Sequence, residues 1–289
     1  MTVDRPATPA LRRVPLPLRL VVSCEHGGHR VPAAYRTLFA DAQALLHSHR
    51  GWDPGALVLA RQMAVGLGAP LFAATTTRLL VDLNRSLGHR QLFSSLSRAL
   101  PAAQRQQIVD MQYRPHRSAV EGGIAREIAA CGAVVHVASH SFTPVLDGVQ
   151  RRADVAWLYD PRRAGEALFA RRWMAAFALR APGLQLRRNY PYQGRSDGLT
   201  ALLRKRYGDA AYVGIELEVN QRFVARGGAP WRALRDALVA SLGDALKDAL
   251  KDALKDARED APGAVLPAAT TAAPAGRETP GAWRPATAV

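Results

Sequence analysis

The feature that most constrains the fold of this chain is an alternation of short apolar runs with longer amphipathic stretches, kept up from residue 18 to residue 220. LRLVVSCE (18–25) has the composition of a buried strand, and ALVLARQMAVGL (56–67) has the spacing of an amphipathic helix. PLFAATT (70–76) and RLLVDLN (78–84) read as strands, followed by a helix over SAVEGGIAREIAAC (118–131). AVVHVASHSF (133–142) is expected to be a strand, EALFARRWMAAFALRA (166–181) a helix and AYVGIELEVN (211–220) a strand. Strands separated by helices imply a largely parallel sheet covered on its faces. In such sheets ligands collect beyond the carboxyl ends of the strands, so chemistry is sought there.

Both ends of the chain depart from this pattern. Residues 1–16 are rich in Pro and Arg and read as a loose arm. WRALRDALVASLGDALKDALKDALKDARED (231–260) contains three copies of DALK, and its Asp and Lys residues pair at three-residue spacing. A four-residue period drifts around a 3.6-residue helix, so the leucines trace a slanting stripe. That stripe suits either a solvated helical extension or a weak self-association helix. The Ala/Pro/Thr-rich residues 261–289 bury too little apolar surface to order themselves and read as a tail.

Composition excludes several classes. In 289 residues there is no run of eighteen apolar residues, and the first fifteen lack a signal-peptide pattern, so a cytoplasmic protein is expected. Cys24 and Cys131 are too few for a disulfide framework. The net charge of +15 comes from scattered Arg rather than a basic block. It fits an anionic small substrate better than nucleic acid.

The polar residues at strand ends carry the functional signal. His26 follows the first strand and is flanked by Gly27 and Gly28, while His140 ends the strand that also carries His136. Imidazoles and carboxylates that converge from separate elements are the raw material of a metal site with an open position for water. A third ligand could be His29 or Asp53, although Asp53 before Pro54 also suits a helix cap. Asp82, Asn84 and Arg85 close the run LLVDLNRS, where Arg85 could take a carboxylate or simply pair with Asp82. Glu216 and Glu218 share one strand face. They are either its solvent side or, through mutual repulsion, a source of a raised pKa suited to a general base.

Taken in order, EHGG (25–28), GWDPG (51–55), DLNR (82–85), YRPHR (113–117), SHS (139–141), NYPY (189–192) and ELEVN (216–220) resemble the N-formylglutamate amidohydrolase family. The resemblance implies a single three-layer α/β domain over residues 17–240, zinc-peptidase-like (phosphorylase/hydrolase-like), with a mostly parallel or mixed central sheet. Residues 241–260 would then form a separate DALK helix. It implies hydrolysis of the amide of an N-acyl acidic amino acid, N-formyl-L-glutamate above all, with a divalent transition metal, zinc first. The family's metal-binding positions fall on His26, His140 and Asp53, and its late glutamate falls on Glu218 as general base. Asn84 and Arg85 fall where the substrate carboxylate is held, and Arg114 and His116 are expected either to orient substrate groups or polarise the carbonyl, or to form a surface cluster at a helix start. The relatives carry a Glu where His29 stands, so His29 remains the other candidate third ligand. The alternative is a non-catalytic α/β protein that binds an anionic metabolite.

Overall fold

The computed structural model describes residues 18–260, with side chains placed as far as residue 252. The arm expected over residues 1–16 and the tail over 261–289 lie outside the described residues. Eight strands form: β1 (Arg19–Cys24), β2 (Leu71–Ala73), β3 (Val134–Phe142), β4 (Val145–Leu146), β5 (Val149–Gln150), β6 (Val155–Leu158), β7 (Leu186–Arg188) and β8 (Tyr212–Asn220). The helices are α1 (Gln43–His47), α2 (Ala56–Leu67), α3 (Ser95–Arg98), α4 (Ala102–Ile108), α5 (Arg114–Cys131), α6 (Ala164–Arg180), α7 (Leu199–Arg206), α8 (Gln221–Arg226) and α9 (Gly228–Asp260).

Six strands build one mixed sheet in the order β2-β1-β3-β8-β6-β7. β2, β1, β3 and β8 run parallel, and β6 joins β8 in the opposite sense. All nine residues of β3 are buried, as a strand covered on both faces requires. On one face α2, α6 and α9 pack against Leu20, Val22, Val135, Val137, Trp157 and Leu217 through Leu59, Met63, Trp173, Phe177, Leu238 and Leu242. On the other, Ile124 of α5 and Leu203 of α7 meet Val21, Val134 and Tyr212. The result is a three-layer α/β domain. The residue alternation of a strand therefore puts His136, His140, Glu216 and Glu218 on the α5/α7 side. Gly123 lets α5 approach β2, because a Cβ there would lie 2.3 Å from the Phe72 ring.

Three expectations are corrected. RLLVDLN forms no strand: residues 77–84 turn beneath the loop and join Phe39, Leu46, Leu92, Ile108 and Tyr113 in a separate apolar cluster. Four buried residues there, Leu79, Leu80, Val81 and Leu83, satisfy burial without pairing, and an apolar run of that length carries no period to tell the two apart. Asp53 is not a side-chain cap. The N-cap of α2 is Gly55, left-handed at φ 81°. Finally, α9 runs unbroken through residue 240, and Leu242 and Ala245, inside the DALK region, are buried against the domain.

Between β3 and β6 a small ribbon, β4 with β5, turns through Asp147 and Gly148, both at positive φ (49° and 75°). Such a two-residue Asp-Gly turn matches the twist of a hairpin. Among the described residues no helix is long and apolar enough to cross a membrane.

Candidate active site

Three chain segments converge beyond the carboxyl ends of β1 and β3. His26 leaves β1 two residues past Cys24, and its carbonyl accepts from Asp53 N at 2.9 Å, which ties the 51–55 loop to the strand end. Gly27 lets the segment after β2 come close on the other side, since a Cβ there would lie 2.8 Å from the Ala74 carbonyl oxygen. The Asp53 carboxylate then reaches both imidazoles through Oδ2, at 3.3 Å from His26 Nδ1 and 2.9 Å from His140 Nδ1. One ligand atom from each of His26, Asp53 and His140 lies within 4.8 Å of the others, and all three residues are buried. His29, the alternative third ligand, is elsewhere: its ring sits 4.6 Å from His47 and 5.0 Å from Trp52.

The donor set fits a divalent ion. Each imidazole turns its outer nitrogen to a carboxylate, His26 Nε2 to Asp82 Oδ1 at 2.7 Å and His140 Nε2 to Glu25 Oε2 at 3.2 Å. A carboxylate behind a histidine fixes its tautomer and leaves the other nitrogen as the ligating lone pair. Both inner nitrogens are Nδ1, and both face Asp53. The Glu25–His140 approach lacks hydrogen-bond geometry, so both Glu25 oxygens and His140 Nε2 are buried without a bonded partner.

Electrostatics follow from this crowding. Burial alone would raise the Glu25 carboxyl, but His116 and His140 outweigh it and hold the group well below its ordinary value. Asp82 is likewise pushed up by burial and pulled further down by Arg78 and His26. His140 is lowered by burial yet raised well above its usual range by Asp53 and Glu25. Glu218 goes the other way: burial, helped by Asp53 and Glu216, pushes it up to about 8. Glu218 stands opposite His140 in the β3–β8 register.

Of these groups His26, Asp53, His140 and Glu218 line a cavity of about 180 Å³ together with Asn84, Arg85, Arg78, Tyr192, Asp197 and Glu216. That volume is below the usual range for drug-sized ligands and suits a small metabolite. Arg85 donates through Nη1 to the Asp197 carbonyl at 2.6 Å, while its Nε is buried without a partner. A guanidinium on the cavity wall with an unpartnered nitrogen is suited to pairing with a carboxylate. Asn84 accepts from Leu199 N at 2.8 Å, which places its amide at the start of α7. Of the two readings of Arg85, the Asp82–Arg85 ion pair does not form among the described residues; Asp82 pairs with Arg78 at 2.8 Å.

YRPHR proves to be a support. The Tyr113 hydroxyl donates to the Arg85 carbonyl at 2.7 Å and Arg117 to the Leu83 carbonyl at 3.1 Å, so the motif holds the DLNR backbone. His116 stands behind the site, 3.6 Å from Glu25. Arg114 is corrected as a substrate residue: it follows the outward face of its helix to Asp110 at 2.9 Å, its side chain 56% exposed and outside the cavity lining. Glu25, Asp82 and Arg78 are the residues that sequence reasoning passed over as parts of the centre. The first two sit inside the EHGG and DLNR motifs, and that adjacency was the available signal.

The fold has counterparts among known proteins. The chain is similar over 80% of its length to the gene product Atu2144 from Agrobacterium tumefaciens (TM-score 0.69, 29% identity, 91% of that chain covered). It shares the fold of the N-formylglutamate amidohydrolase from Ralstonia eutropha JMP134 at TM-score 0.58 and 20% identity, covering 82% of this chain and 97% of that one. None of the curated proteins compared with it matches. The family profile described as N-formylglutamate amidohydrolase matches residues 18–225. The chain therefore belongs to the N-formylglutamate amidohydrolase family and is a hydrolase acting on amides.

Proposed function

We propose that this chain hydrolyses the amide bond of an N-acyl amino acid in a metal-dependent reaction, with N-formyl-L-glutamate, the compound in the family's name, as the first substrate to try. The observation that carries this reading is the meeting of His26, Asp53 and His140 within 4.8 Å at the wall of a small cavity that also contains Glu218 and Arg85. A divalent ion held by those three residues, zinc by the donor set, supplies Lewis acidity that polarises the scissile carbonyl and makes an attacking water more acidic.

The chain's own groups do the rest. Arg85, on the cavity wall with an unpartnered Nε, takes the α-carboxylate and fixes the substrate's position. Glu218 Oε2, buried and without a partner, accepts a proton from the attacking water and returns it to the leaving nitrogen. A carboxyl pushed up to about 8 is well matched to both halves of that transfer near neutral pH. Cys24 and Cys131 are free and buried, which supports the cytoplasmic placement expected from the sequence. Membership of an amide-hydrolase family argues against the non-catalytic alternative.

The test pairs metal content with turnover. Purified protein is expected to carry about one equivalent of metal, and His140→Ala to lose it. Glu218→Gln should retain the metal while kcat/KM falls roughly a hundredfold to ten-thousandfold. Full metal retention in the histidine variant, or unchanged turnover in the glutamate variant, removes the assignment.

A further inference from the structure

The two imidazoles proposed to hold the ion are backed in different ways. Behind His26 stands Asp82, and behind Asp82 stands a guanidinium: Arg78 reaches its Oδ2 at 2.8 Å, while Asn84 N donates to its Oδ1 at 2.9 Å. Behind His140 stands Glu25, fully buried, and among the described residues only two imidazoles approach its oxygens. Oε2 faces His140 Nε2 at 3.2 Å, and Oε1 faces His116 Nε2 at 3.6 Å. His116 thus occupies for Glu25 the place that Arg78 occupies for Asp82.

All four of these facing atoms, Glu25 Oε1 and Oε2, His116 Nε2 and His140 Nε2, are buried without a hydrogen-bonded partner. A carboxylate taken out of water is costly unless the protein supplies donors to it. The two imidazole N–H groups are the donors at hand. The His140 contact is already at hydrogen-bond length, and the His116 contact lies a few tenths of an ångström beyond it.

The local structure explains why His116 points there. Val109–Tyr113 form a π-helical turn that leads into α5, a rare conformation that shifts the phase of the residues after it and is frequent at functional sites. Arg114 then faces outward, whereas His116, its side chain 8% exposed, starts the inward stripe continued by Val120, Gly123 and Ile124. Neither His116 nor Glu25 lines the cavity, so His116 reaches the centre through Glu25 rather than through substrate.

We propose that His116 is a positioning residue of the metal centre: it holds Oε1 of Glu25, so that Oε2 keeps the His140 ring turned with Nδ1 towards the ion. The inference deepens the function proposed above and rests on its metal site.

The test follows zinc release from the loaded full-length chain to excess chelator in wild type, His116→Ala, His116→Gln and Glu25→Gln. The same proteins loaded with cobalt(II) give a visible spectrum that reports ligand geometry. His116→Ala is expected to speed release on the order of tenfold and to shift the cobalt bands. Gln sets an amide nitrogen near the position of Nε2 and should restore most of both. In the Glu25→Gln background His116→Ala should add nothing, because it acts through that carboxylate. A purely structural role would lower the melting temperature of the His116 variants while release and spectrum keep their wild-type values, which overturns the proposal. Full additivity of the two substitutions also overturns it, as does a Gln variant as impaired as Ala. Should His116→Ala fail to fold, His116→Gln is compared with Glu25→Gln alone. Release near wild type in the first and faster in the second supports the proposal, and equally fast release in both overturns it. A wild type that binds neither zinc nor cobalt removes the metal site and this inference together, whereas zinc held equally by every variant overturns the inference and leaves the site standing.

Discussion

The centre rests on side chains that touch neither ion nor substrate. Asp82 accepts from His26 Nε2 at 2.7 Å and from Asn84 N at 2.9 Å, and its other oxygen pairs with Arg78. One carboxylate therefore orients an imidazole of the proposed metal site, the DLNR turn and a guanidinium at once. Asp82→Asn preserves the shape and removes the charge. It should weaken metal affinity by about tenfold to a hundredfold, read by competition against a chromophoric chelator, while the melting curve of the loaded protein keeps a single transition. Unaltered affinity would mean that Asp82 serves only the loop. At this scale the sequence revealed the residue types that form the centre, because His26, Asp53 and His140 each stand at a strand end or a turn. It could not reveal which way Arg114 points, since one position along a helix turns a side chain by a large angle.

Among the elements, those with a strong period were legible. The helix expected over 56–67 is α2 itself, and β1, β3 and β8 lie within the runs that suggested them. β6 went unseen because four apolar residues between Asp154 and Tyr159 carry no period, and its reversed direction is a matter of tertiary packing. The long α9 shows how a repeat can mislead. DALK reads as a solvated extension or a weak self-association helix, yet Ala245 in its first copy is buried, and just before it Leu242 is fully buried and Ser241 accepts from Trp173 Nε1 at 3.1 Å. Arg180 pairs with Asp244 and Arg172 with Asp252, so the acidic residues of the repeat grip α6 from outside. Leu242→Ala should accordingly cost about 2–5 kcal/mol in urea unfolding, whereas Lys251→Ala, with its side chain 77% exposed, should stay within about 0.5 kcal/mol. Equal effects would show that α9 is not part of the folding unit.

For the molecule as a whole, acid sensitivity is built into the middle of the sheet. His136 is fully buried between Ser23 Oγ and Tyr212 OH, each at 2.8 Å, and burial lowers its pKa from 6.5 to about 4. Between those two values the unfolded chain binds a proton that the folded one refuses. Stability is thus lost as pH falls from 6.5 towards 4 and is regained as pH rises. The slope of unfolding free energy across that window should be shallower in His136→Asn, and identical slopes would show that other groups dominate. The Asp147–Gly148 turn has a different consequence. Every proposed holder of the ion, and Arg85 with them, precedes this exposed hairpin tip, while Glu218 follows it. A nick there would leave one fragment equipped to capture a cation and the other holding the proposed base, each expected to be inert by itself. Catalysis regained on mixing the two would make this protein a natural candidate for fragment complementation.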